Sequence, residues 1–162
     1  MRIIGIDPGI RSTGYGVIEV TGRYPGLVDY GIMTPPTDAP MAARLGALYQ
    51  DLAQLIELLN PDDMAIEAAF HGVNAKSTLI LGQARGAALV CSAQYKLTCY
   101  EYAPRKVKMA VTGNGRATKE QVQSMVQRIL NMDQLPAPLD ASDALAVALC
   151  HQQQFQPVLA NR

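Results

Sequence analysis

The apolar positions change their rhythm along the chain, and each rhythm predicts a different element. Ile3-Ile4-Gly5-Ile6, set between Arg2 and Asp7, reads as a short buried strand stopped by Pro8-Gly9. A second strand runs from Thr13 to Val20, with Gly22 and Pro25-Gly26 marking its exit, and a third from Leu27 to Met33. Short, turn-rich links between three successive strands predict an antiparallel meander. The period then lengthens. Leu45, Leu48, Leu52, Leu55 and Leu59 recur at steps of three and four, which puts them on one face of a helix from Met41 to Asn60, closed by Pro61. Met64 to Glu67 is a short apolar strand running into an acid. A helix from Ala75 to Gln94 carries Gly82 and Gly86. Glycine inside a helix costs ~1 kcal/mol against alanine. The spacing therefore suggests a face approached closely by another backbone, either a neighbouring helix or a second subunit. Leu97 to Tyr102 is a fifth strand and Pro104 to Val111 a short helix. Asn114-Gly115 turns the chain, Thr118 caps a helix reaching Leu130, and a final helix begins near Asp140. The whole pattern predicts one α/β domain over residues 1–162, a single mixed sheet flanked by helices.

Composition narrows the class. The 162 residues are 49% hydrophobic and 17% charged, an ordinary globular balance that excludes disordered and collagen-like chains. A chain of this size buries roughly 70% of the surface its unfolded form exposes, so it holds a core without staples. No apolar run approaches the ~20 residues of a membrane span. The opening run ends at Asp7, well short of a signal-peptide core. A soluble, cytoplasmic protein is expected. Cys91, Cys99 and Cys150 form no CxxC pair, and an odd count fits reduced, buried thiols in a reducing compartment.

The formal net charge of zero hides an asymmetry. Between Arg85 and Arg128 lie Arg85, Lys96, Arg105, Lys106, Lys108, Arg116, Lys119 and Arg128 against only Glu101 and Glu120, a net +6, and the remainder of the chain is −6. A basic segment facing an acidic one can bind a polyanion locally; a solvated helical surface is the alternative.

The acids carry the chemistry. Asp7 and Glu67 each end a buried strand, and the strand after a long helix normally returns beside the first, so the two carboxylates are expected to be neighbours. Side by side they repel and raise each other's pKa unless a divalent ion lies between them. Asp140 and Asp143, three apart at a helix start, share a face. Alone they read first as a capping-box-like start. Together with Asp7 and Glu67 they supply the oxygen ligands that Mg²⁺ or Mn²⁺ requires. His71 and His151 are too few and too far apart in sequence for a zinc site. Four acids beside a basic segment suit metal-dependent phosphodiester hydrolysis, with two ions about 4 Å apart. Lys108 and Lys119 would face the phosphates. Gly14-Tyr15-Gly16 lacks the third glycine of a dinucleotide fingerprint, and no P-loop lysine follows a glycine loop. Asp7-Pro8-Gly9 through Gly14 is similar to the first phosphate loop of actin-like ATPases and sugar kinases, which normally need two such domains.

These residues, taken in order, resemble the RuvC family of Holliday-junction resolvases. Gly5-Ile6-Asp7-Pro8-Gly9 with Thr13-Gly14-Tyr15-Gly16-Val17 is similar to its first motif, and Ile66-Glu67-Ala68-Ala69-Phe70 to its second. Leu81 to Gly86, then Tyr102 to Lys108 with Gly113-Asn114-Gly115 and Lys119, and finally Asp140 to Ala146, complete the match over essentially the whole chain. The resemblance implies a ribonuclease-H-like fold with a mixed five-stranded sheet, a homodimer, and Asp7, Glu67, Asp140 and Asp143 as ligands for Mg²⁺ or Mn²⁺. It implies Lys108 and Lys119 as residues that support cleavage or hold DNA, within a basic segment that also carries Arg105, Lys106 and Arg116. It places Phe70 on a loop entering the junction; a core aromatic is the other reading of that residue. Four-way junction DNA and the RuvA–RuvB branch-migration complex are the partners implied, and symmetric nicks with 5′-phosphate and 3′-hydroxyl ends the outcome. A related ribonuclease-H-like nuclease acting on RNA or other branched DNA, and a non-catalytic binding module, are the rival readings.

Overall fold

The computed structural model describes residues 1–68 and 74–159. The element order is β1 (Arg2–Asp7), β2 (Thr13–Thr21), β3 (Tyr24–Met33), α1 (Met41–Leu59), β4 (Asp63–Glu67), α2 (Ala75–Gln94), β5 (Thr98–Tyr102), α3 (Pro104–Thr112), α4 (Lys119–Ile129) and α5 (Leu139–Leu159). The strands form one sheet in the order β3-β2-β1-β4-β5. β1, β2 and β3 pair antiparallel, as the meander predicts, and β4 and β5 add in parallel.

The third strand is longer than its sequence suggests. Pro25-Gly26 reads as a strand exit, yet Val20 pairs with Pro25 and Glu19 with Gly26. β3 is an edge strand, and there a proline whose missing N–H would face outward breaks no ladder bond. The link is instead the two-residue turn Gly22-Arg23, closed by the Thr21↔Tyr24 pair. Gly22 takes φ +71, the first-position glycine of a tight hairpin.

Strand alternation splits the core in two. Ile4, Ile6, Val17, Met64 and Ile66 face α1 and α2, packing on Leu48, Leu52 and Ile56. Ile3, Ile18 and Ala65 face α3, α4 and α5, packing on Val107, Val126, Leu145 and Leu149. Burying each such aliphatic side chain contributes roughly 1.5–3 kcal/mol. α1 ends where expected: Asn60 adopts the left-handed cap with φ 45, and Pro61 forbids continuation. Thr118 closes a full capping box on α4, accepting from the Gln121 N–H while Gln121 Oε1 accepts from the Thr118 N–H. Cys91, Cys99 and Cys150 are free thiols. Among the described residues no helix is long and apolar enough to cross a membrane.

Candidate active site

Because β1 and β4 are parallel, they end at the same edge of the sheet. Their pairing runs to Ile6↔Ile66, which leaves Asp7 and Glu67 side by side just beyond. The same alternation that turns Ile6 and Ile66 toward α1 and α2 turns Asp7 and Glu67 toward α5.

α5 arrives at this edge by its first turn, and glycine lets it come close. Gly5 pairs with Gly16, and Gly14 with Asp7. A Cβ at Gly5 would lie 2.1 Å from the Ala144 carbonyl oxygen, one at Gly14 1.9 Å from that of Asp140, and one at Gly16 2.6 Å from Leu145 Cγ. The helix backbone thus rests on bare strand backbone, and Asp140 and Asp143 come down beside Asp7. The capping-box alternative for these two acids is not what forms: Asp143 Oδ2 accepts from Lys119 Nζ at 2.7 Å, and both carboxylates turn to the cluster.

One oxygen each from Asp7, Asp140 and Asp143 lies within 4.8 Å of the other two, and all three residues are half-buried. Glu67 stands outside this tight triad but lines the same cleft, of about 180 Å³, with Asp7, Asp143, Lys108 and Lys119. Burial, reinforced by Glu67, Asp143 and Asp140, pushes the Asp7 carboxyl up to about 8, against the opposing pull of Lys119. Burial and then Asp143 raise Glu67, with Lys119 and Lys108 opposing. Lys119 is held above its ordinary value, first by its hydrogen bond to Asp143 and against the cost of burial. Four acids against two lysines leave the cleft short of positive charge. The donors are all carboxylate oxygens, the set that suits a hard divalent cation.

The basic residues divide. Lys108 on α3 and Lys119 at the start of α4 reach the cleft, whereas Arg105, Lys106 and Arg116 are exposed beside it. Gly115 lies under the Arg105 stem, where a Cβ would meet Arg105 Cγ at 2.8 Å. Lys106 Nζ sits 5.2 Å from the Tyr102 ring centroid, a cation–π distance. Arg85 is tied to Glu101. Phe70 lies outside the described residues. Gly82 and Gly86 have nothing within 4 Å where a Cβ would stand, so of the two readings of that helix face, the neighbouring helix is excluded within the described chain.

Sequence reasoning missed a buried polar chain beneath the cleft. The Tyr102 hydroxyl lies 2.7 Å from His151 Nδ1, and His151 Nε2 lies 3.2 Å from Asp63 Oδ2. The one available signal was a histidine closing the otherwise apolar run Ala144 to Cys150.

A three-stranded meander extended by two parallel strands, with carboxylates at the ends of β1 and β4 and on the helix above them, defines a ribonuclease-H-like fold with an acidic cleft. The sequence profile described as crossover junction endodeoxyribonuclease RuvC matches residues 3–151, and the chain belongs to that family. A relative of that description in Dehalococcoides mccartyi is 46% identical, covering 93% of this chain and 92% of its own. One in Chloroflexus aggregans is 48% identical, with 93% and 92% covered. The solved structure of Thermus thermophilus RuvC in complex with Holliday junction substrate is 32% identical, covers 98% of this chain and 96% of its own, and superposes with a TM-score of 0.92.

Proposed function

We propose that this chain is a structure-selective DNA endonuclease that resolves four-way junctions in homologous recombination and repair, nicking two opposed strands to leave 5′-phosphate and 3′-hydroxyl ends. The observation that carries the reading is the acid triad under the first turn of α5, with Asp7 pushed up to about 8. The complex of the Thermus relative with a Holliday junction supports the substrate.

Asp7, Asp140, Asp143 and Glu67 would hold Mg²⁺ or Mn²⁺, two ions per site. When bound, the ions supply Lewis-acid activation of water and charge stabilisation at the leaving oxygen. Asp7 and Asp143 both border Glu67 as well as belonging to the triad, so the four carboxylates would act as one ligand set. Lys108 and Lys119 hold the scissile phosphate over the acids. Arg105, Lys106 and Arg116 grip the flanking backbone, contacts that position a strand without reading its sequence. Phe70, by analogy with the family, would enter the junction and stack on an unpaired base.

Residues 1–162 act as one nuclease domain of a homodimer, because a two-fold protein presents two clefts to opposing strands of a two-fold junction. The α2 face supports this: Leu79 is 71% and Val90 63% exposed, and Gly82 and Gly86 leave room between them for a second backbone. The cytoplasm is the compartment, and a RuvA–RuvB branch-migration complex the further partner.

Asp7→Asn tests the reading. The variant binds synthetic four-way junctions as the parent does and fails to nick them in Mg²⁺; normal cleavage by it overturns the metal assignment. Offering junctions, linear duplexes and RNA–DNA hybrids in parallel tests the substrate. Paired symmetric nicks confined to the junction are expected, and preferential cutting of hybrids favours a related ribonuclease-H-like nuclease instead.

A further inference from the structure

The Tyr102–His151–Asp63 chain lies on the same face of the sheet as the cleft and runs from Tyr102, which pairs with Glu67, through His151 to Asp63 at the other end of β4. Asp63 and Glu67 are the two ends of β4, about 13 Å apart at strand rise. Asp143 and His151 are eight residues apart on α5, about 12 Å at helical rise. Asp143 faces Glu67 and His151 faces Asp63. The strand and the helix are therefore joined at both ends with matched spacing. At the cleft the facing groups are two carboxylates that repel; at the far end they are a hydrogen-bonded histidine and aspartate.

His151 is 0% exposed, and its ring stacks tilted on Tyr100 with centroids 4.5 Å apart. Burial pushes its pKa down against the pull of Asp63, which favours the neutral ring. The arrangement that satisfies both partners has the Tyr102 hydroxyl donating to Nδ1 and Nε2–H donating to Asp63. Tyr102 also reaches the cleft through its backbone. It pairs with Glu67, and its carbonyl accepts the Ala68 N–H at 2.8 Å, fixing the chain directly after the glutamate.

We propose that His151, bonded to Tyr102 and Asp63, is a positioning residue for metal binding: it sets the height of α5 along β4 and β5, and so holds Asp143 opposite Glu67. Over Gly5, Gly14 and Gly16 no strand side chain keys into α5, and the packing of its Leu145 and Leu149 among Ile3, Ile18, Val107 and Val126 is non-directional. The directional bonds of His151 supply what the glycine floor lacks, and they act while the carboxylates push apart.

The inference rests on the metal-nuclease reading, and the test separates the two. Thermal stability of the purified protein is measured without DNA across a Mn²⁺ titration, alongside junction affinity in EDTA. The variants are Tyr102→Phe and Asp63→Leu, which keep the shape and remove the hydrogen-bonding atom, and His151→Gln. Leu52→Ala, in the opposite core on α1, is the control for lost stability alone. The expected result is that Tyr102→Phe and Asp63→Leu need roughly tenfold more Mn²⁺ for half the metal-induced rise in Tm. Leu52→Ala, although less stable, keeps the parental midpoint, and junction affinity in EDTA is unchanged throughout. A parental midpoint in Tyr102→Phe and Asp63→Leu overturns the positioning role, even if His151→Gln does not fold. An unmodified protein whose Tm ignores Mn²⁺ overturns the metal reading itself.

Discussion

Gly14→Ala is the sharpest perturbation of the cleft that touches none of its functional side chains. The new Cβ would fall 1.9 Å from the Asp140 carbonyl oxygen, 2.3 Å from its carbon and 3.0 Å from the Ala141 nitrogen. Everything it meets is backbone, so no rotamer change relieves it. To restore ordinary contact, the first turn of α5 retreats by at least about 1 Å, because packed interiors have no slack to absorb the atom. Overpacking of this kind costs ~1–3 kcal/mol, which lowers Tm by about 3–10 °C for a domain of this size. The functional loss is larger in proportion, since a displacement of ~1 Å in a reacting geometry costs about 10²-fold in rate. Asp140 and Asp143 both ride on the displaced turn. Single-turnover nicking of a labelled four-way junction at saturating Mg²⁺, with junction affinity measured in EDTA, reads the effect: slow nicking, near-parental binding. Gly46→Ala, on α1 with nothing within 4 Å of its Cβ, is the comparison and keeps the parental rate. Full-rate nicking by Gly14→Ala at parental Tm refutes the close seating of α5 as the reason the acids meet.

Other outcomes follow from the cleft and from α2. In metal-free protein the folded state holds the Asp7 proton between its ordinary 3.8 and about 8, while the unfolded chain does not. Folded protein then binds more protons in that window, so this contribution to stability is present in acid and lost as pH rises. The Tm advantage of Asp7→Asn over the parent in EDTA should grow from pH 4 to pH 8; parallel curves refute the shift. Lys119→Met removes the cation that donates to Asp143 in the cleft, and nicking is expected to fall by about 10²-fold; an unchanged rate places Lys119 outside the reaction. Gly86→Leu leaves the monomer folded because its Cβ points into open space, and it weakens self-association in sedimentation; an intact dimer moves the interface off this face.

Much of this architecture was legible because the relevant physics is local. The leucines of α1 at steps of three and four, the Thr118 capping box and Pro61 each act within a turn or two of chain. The pairing of Asp7 with Glu67 was also accessible, since a strand following a long helix returns in parallel beside its predecessor. What the sequence withheld depends on distant partners. Tyr24 to Gly26 joins β3 only because β3 lies at an edge where Pro25 is tolerated. Gly14 and Gly16 invite comparison with nucleotide-binding loops, but their work is to let α5 touch the sheet. The role of His151 is not visible along its own helix, because Tyr102 and Asp63 both come from strands.

The two borders of the sheet have a further consequence. β3 carries Pro25 and a register shift in its pairing with β2 between Val17 and Ile18, and β5 is only five residues long. Neither border offers a long, regular row of free amides, so added strands find no template and amyloid-like growth is disfavoured.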